Sequence, residues 1–147
     1  MQVEKREPEI VNILLVDDDN VDAMAVERAF KRAKIANPLH LARDGVEGLD
    51  MLRGKGGHEP LPKPYLIILD LNMPRMNGIE FLAELREDPN HRDAIVFVLT
   101  TSQADEDRAA SYDKNVAGYL LKSKLGDGFL DLVELLDRYW RVVMLPS

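Results

Sequence analysis

Three runs of apolar residues, VNILLV (11–16), YLIILD (65–70) and AIVFVLT (94–100), constrain this chain more than any other feature. Each is strand-length and lacks the apolar–polar alternation of a strand with one wet face, so each reads as a strand buried on both faces. Between them the spacing turns helical. Val21, Met24, Ala25, Ala29, Phe30 and Ala33 predict a helix over 21–33, with Asn20 as its N-cap. Asn37-Pro38 breaks the chain before a weaker strand, LHLAR (39–43), and Asp44-Gly45 precedes a short helix marked by Val46, Leu49 and Leu52 that ends near Gly54. The Gly/Pro-rich stretch GKGGHEPLPKP (54–64) is a loop, placed too early to separate two domains. Ile79, Leu82, Ala83 and Leu85 predict a helix over about 78–87. Beyond the third run come an amphipathic helix over 102–115, a strand VAGYLL (116–121) and a long closing helix over about 127–143.

Five strands alternating with five helices imply an α/β fold, a parallel sheet with helices on both faces. Right-handed crossovers leave few arrangements, of which a doubly wound, flavodoxin-like five-stranded sheet of order 2-1-3-4-5 leads, with its switch point between the first and third strands. One domain over 10–143, preceded by a short polar extension at 1–9, accounts for the chain of 147 residues. A net charge of −7 disfavours non-specific contact with nucleic acid or anionic membrane. With no Cys, disulfides, thiolate metal sites and Cys nucleophiles are excluded. No apolar run is long enough to span a bilayer, and MQVEKREPEI has no apolar leader, so a cytoplasmic location is expected.

The chemistry collects at the strand ends. The first strand ends in Asp17, Asp18 and Asp19, the third in Asp70, the fourth in Thr100 and the fifth in Lys122. In a parallel sheet these ends share one edge, and Asp17, Asp18 and Asp70 flank the switch point, where ligands of such sheets bind. Clustered carboxylates raise one another's pKa, and a divalent cation relieves the repulsion. Oxygen donors alone favour a hard ion, Mg2+. A lysine and a threonine hydroxyl beside them suit a phosphoryl group, and a carboxylate can serve as the nucleophile, forming an aspartyl phosphate. Asp19 reads as a solvated helix cap. His40, His58 and His91 show no ligand spacing and are expected in loop or surface roles.

The stretches ILLVDDD (13–19), LDLNMPRMNG (69–78), VLTTS (98–102) and GYLLKS (118–123), at these intervals, resemble the bacterial two-component response regulator receiver domain. The resemblance covers nearly the whole chain. It implies that Asp70 accepts a phosphoryl group from a histidine kinase. It also implies that Asp18 ligates Mg2+ directly, Asp17 through water, and Asn72 by its backbone carbonyl. Thr100 becomes the switch hydroxyl, Lys122 the phosphate-pairing lysine and Tyr119 the aromatic switch residue. The chain would then be a phosphoacceptor rather than an enzyme, capable at most of self-phosphorylation from small donors and of self-dephosphorylation. One departure stands out. Most receivers have a cis-Pro after the lysine, whereas Ser123 follows here, and a cis bond before Ser costs about 2.5–4 kcal/mol.

The loop at 54–64, the SYD at 111–113 and the DRYW…LP ending are closest to the small stand-alone regulators that partner phytochrome-type kinases. A protein of that kind, with no output domain, needs a downstream protein partner. In the closing helix, Leu130, Leu135, Tyr139 and Val142 fall outside the stripe expected to face the sheet, and they are expected to form a homodimer face. Three rivals are weaker. A haloacid-dehalogenase-type aspartyl-phosphate phosphatase needs Asp-x-Asp-x-Thr, and Val21 stands in the Thr position. A phosphorylation-independent pseudo-receiver would not need the full set of Asp17, Asp18, Asp70, Thr100 and Lys122. A flavin-binding protein would find its phosphate repelled by the acidic first loop.

Overall fold

The computed structural model describes residues 11–71, 73, 76–100, 114–122 and 134. Its elements are β1 (Asn12–Val16), α1 (Asn20–Arg32), β2 (Leu39–Ala42), α2 (Gly45–Arg53), β3 (Tyr65–Asp70), α3 (Gly78–Glu87), β4 (Ile95–Thr100) and β5 (Gly118–Leu121). All pairings are parallel, and the order is β2-β1-β3-β4-β5, the arrangement expected from the alternation. The helices expected over 102–115 and 127–143 fall almost wholly outside the described residues. Among the described residues no helix is long and apolar enough to cross a membrane.

The three apolar runs are buried on both faces because alternate side chains serve two cores. Ile13, Leu15, Leu66, Ile68, Phe97 and Leu99 pack with Ala23, Val26, Ala29 and Phe30 of α1. Their neighbours Leu14, Val16, Ile67, Leu69, Val96 and Val98 pack with Leu49 and Leu52 of α2 and Phe81, Leu82 and Leu85 of α3. Fully burying one such side chain contributes about 1.5–3 kcal/mol, so the central strands anchor the sheet. The sheet edge they define is correspondingly fixed.

Local chemistry starts and stops the helices. Asp19, and not Asn20, caps α1: its carboxylate accepts from the N–H of Val21 and of Asp22. An ionised cap satisfies two orphan donors and also favours the positive end of the helix dipole, which a neutral Asn does less well. Asp44 caps α2, which ends at Gly54 with φ 73°, a left-handed value that glycine adopts without strain. Asn77 and Glu80 form a reciprocal capping box at the start of α3.

Two expectations are corrected here. His91 lies in the turn between α3 and β4, as expected of a loop histidine, but not at the surface: it is buried, and its Nδ1 lies 2.6 Å from the hydroxyl of buried Tyr65. Burial holds its imidazole below the ordinary value. The fifth strand begins at Gly118, not Val116. Lys114 and Asn115 form a turn, with Asn115 at φ 57°, and the Arg86 guanidinium holds that turn by donating to both carbonyls, at 2.6 and 3.0 Å. The same guanidinium donates to the carbonyls of Arg92 and Ala94, each at 2.8 Å, so it ties the end of α3 to the starts of β4 and β5.

Candidate functional site

The carboxyl ends of β1, β3, β4 and β5 meet beside the switch point between β1 and β3. Asp17 directly follows β1, and its N–H continues the ladder by donating to the Ala42 carbonyl at 3.0 Å. Asp70 ends β3, paired in register with Leu99. The turn after Asp70 is held tightly. Gly78 N donates to the Leu71 carbonyl at 2.9 Å, and a Cβ on Gly78 would lie 2.7 Å from the Leu71 Cα and 2.8 Å from the Asp70 carbonyl. Only glycine lets α3 start this close to the end of β3.

Asp17, Asp18 and Asp70 each offer a carboxylate oxygen within 4.8 Å of the others. Asp17 and Asp70 are buried and Asp18 is exposed, so the cluster has an open side toward solvent. Lys122, one residue beyond β5, reaches into it. Its ammonium lies 3.3 Å from Asp17, 3.4 Å from Asp70 and 2.5 Å from Asp22. Thr100 is fully buried at the end of β4, opposite Leu121 in register. Tyr119 is half-buried against the α2–α3 face of the core. Asn72 and Ser123 lie outside the described residues, as do Leu135, Tyr139 and Val142.

The electrostatics follow from crowding in a dry corner. Burial pushes the Asp17 carboxyl up to about 7, and the charges of Asp70 and Asp22 add to the rise. The N–H of Asp19, 2.9 Å from Asp17 Oδ1, and the Lys122 ammonium pull the other way without cancelling it. Burial alone would lower the Lys122 ammonium, but the hydrogen bond to Asp22 and the charges of Asp17 and Asp70 outweigh it, so Lys122 is held charged. Three carboxylates therefore contact one lysine, Asp18 adds a fourth beside Asp17 and Asp70, and among the described residues the surplus is negative. An all-oxygen, anionic donor set open on one side fits a hard divalent cation.

Sequence reasoning did not single out Asp22. It stands in the first turn of α1, three residues beyond its cap, where a helix starting from the end of β1 carries it along the same sheet edge. A reading of the first turn as part of that edge could have found it.

Residues 13–134 match the response regulator receiver domain family. Response regulator Rcp1 of Synechocystis sp. is 36% identical over 148 residues, covering 100% of this chain and 99% of Rcp1. The crystal structure of the Mn2+-bound form of Rcp1 superposes with a TM-score of 0.81 at 36% identity, covering 93% of this chain and 99% of that one. The phosphorylated cyanobacterial phytochrome response regulator RcpA superposes with a TM-score of 0.84 at 33% identity, covering 95% of this chain and 100% of that one. The matched span runs from β1, through the four strand ends that carry the acidic cluster and Lys122, to beyond β5. The chain belongs to the response regulator receiver domain family.

Proposed function

We propose that this receiver works as a phosphoacceptor with Asp70 as the acceptor. The single observation that carries the reading is the meeting of Asp17, Asp18 and Asp70 within 4.8 Å of one another, with the Lys122 ammonium 3.4 Å from Asp70. In the transfer an Asp70 carboxylate oxygen forms a bond to phosphorus. The bond from phosphorus to the kinase histidine nitrogen breaks, and that nitrogen keeps the electron pair. Lys122 offers the arriving group a point charge, and the Thr100 hydroxyl offers a hydrogen-bond donor.

Asp17, Asp18 and Asp70 would hold a divalent cation, read as Mg2+, with the Asn72 carbonyl assigned by resemblance alone. The ion supplies charge neutralisation at the transferring group. The Mn2+ in the related Rcp1 structure supports a divalent ion of this kind.

Once phosphorylated, the protein signals through Thr100 and Tyr119: the hydroxyl moves to the phosphoryl oxygens and the ring turns into the space it leaves, changing the surface that a downstream partner reads. Full-length similarity to Rcp1 and RcpA supports a phytochrome-like histidine kinase as donor. A receiver unit over 10–143, a cytoplasmic location, a homodimer through Leu135, Tyr139 and Val142, and slow self-phosphorylation and self-dephosphorylation complete the reading.

Incubation with acetyl phosphate and Mg2+ should add one phosphoryl group by intact mass, and Asp70→Asn should abolish it. Uptake by Asp70→Asn at the wild-type rate would overturn the assignment.

A further inference from the structure

Lys122 is not aimed first at Asp70. Its ammonium lies 2.5 Å from Asp22 Oδ2, against 3.4 Å from Asp70 Oδ2 and 3.3 Å from Asp17 Oδ2. The side chains of Lys122 and Asp22 are 11% and 19% exposed, so water screens the pair weakly. Asp22 is also held in place, because the Asp19 carboxylate accepts from its N–H at 3.2 Å and fixes the first turn of α1. It is not one of the three carboxylates that gather within 4.8 Å of one another, and its ion pair is with the lysine.

A phosphoryl group on Asp70 is a multiply charged anion that needs the same ammonium. The ammonium has three donors, already divided among Asp22, Asp17 and Asp70, so the arriving group competes for it with Asp22, its shortest contact. We propose that Asp22 is a positioning residue that competes with the phosphoryl group for Lys122 and thereby slows phosphoryl uptake by Asp70. The inference rests on the reading of Asp70 as the phosphoacceptor. With acetyl phosphate, the bond formed is Asp70 oxygen to phosphorus and the bond broken is phosphorus to the acetyl oxygen. Acetate leaves with the electron pair.

The test measures uptake by intact mass at saturating Mg2+ with acetyl phosphate, in wild type, Asp22→Asn, Asp22→Glu, Lys122→Met and the Asp22→Asn/Lys122→Met double variant. Asp22→Asn should take up phosphoryl several-fold faster than wild type. Asp22→Glu restores the charge and should return the rate toward wild type. In the Lys122→Met background, Asp22→Asn should change nothing, which separates action through the lysine from a general effect on folding or on site charge. Uptake by Asp22→Asn at or below the wild-type rate, or an acceleration that persists without Lys122, overturns the inference. A wild type that takes up no phosphoryl group at Asp70 instead overturns the functional reading on which it rests.

Discussion

Asp17 should be worth more to this fold as an asparagine than as an aspartate whenever divalent cations are removed. Its carboxyl rises from the ordinary 3.8 to about 7, first through burial and then through the charges of Asp70 and Asp22. A carboxyl whose pKa is higher in the folded state binds its proton more tightly there than in the unfolded chain. Stability is therefore greatest below the unfolded value, falls as pH rises between the two, and carries the full cost above the folded value. At about 1.4 kcal/mol per pH unit, the gap corresponds to about 4 kcal/mol above pH 7 and to less than half of that at pH 5. Asparagine keeps an oxygen to accept from the Asp19 N–H, and Lys122 retains Asp22 and Asp70 as partners. Urea unfolding of wild type and Asp17→Asn in EDTA should show the variant more stable at pH 8. Its advantage should shrink by about 2–3 kcal/mol on going to pH 5. Mg2+ at a hundredfold excess over Kd should return about 2.7 kcal/mol to the wild type and less to the variant. An Asn variant that is less stable than wild type at pH 8 without metal, or an advantage that does not change with pH, would refute the argument that burial and like charge dominate this corner.

Two further predictions concern the frame of the site. Gly78→Ala drives a Cβ into the backbone of Asp70 and Leu71 and should cost about 1–3 kcal/mol in thermal or urea unfolding, with slower phosphoryl uptake by Asp70; an unchanged Tm would contradict the close approach. Arg86→Met removes donors from four carbonyls on two segments and should cost about 2–4 kcal/mol, with amide exchange rising at Ala117 and Gly118 before it rises in β1; unfolding and exchange like those of wild type would show that the tie carries no weight.

What the sequence carries openly is the part of the structure governed by period and position. VNILLV, YLIILD and AIVFVLT lie at the centre of the sheet because nothing but burial on two faces suits an unbroken apolar run, and the residues that end them must then share an edge. Asp17, Asp18, Asp70, Thr100 and Lys122 were legible for that reason. What was not legible depends on side-chain reach across long separations. His91 is buried because the start of β3 brings the Tyr65 hydroxyl to it, a contact across 26 residues. β5 starts at Gly118 after a turn at Lys114 and Asn115 whose carbonyls accept from one guanidinium on α3, a contact across 28 and 29 residues.

The same distinction bears on function. Strand order alone brings a lysine and three carboxylates to one edge, and any chain with these strand ends would have them. Which carboxylate holds the lysine is decided by the first turn of α1, where Asp22 lies 100 residues from Lys122 in sequence and 2.5 Å from it in space. A phosphoryl group arriving at Asp70 therefore meets a cation that is near but already engaged. Two receivers with identical strand ends would thus differ in how readily they charge, through a residue outside the group of three clustered carboxylates. On this reading the strand-end edge makes phosphoryl chemistry possible there, and the helix beside it sets how strongly the resting site resists it.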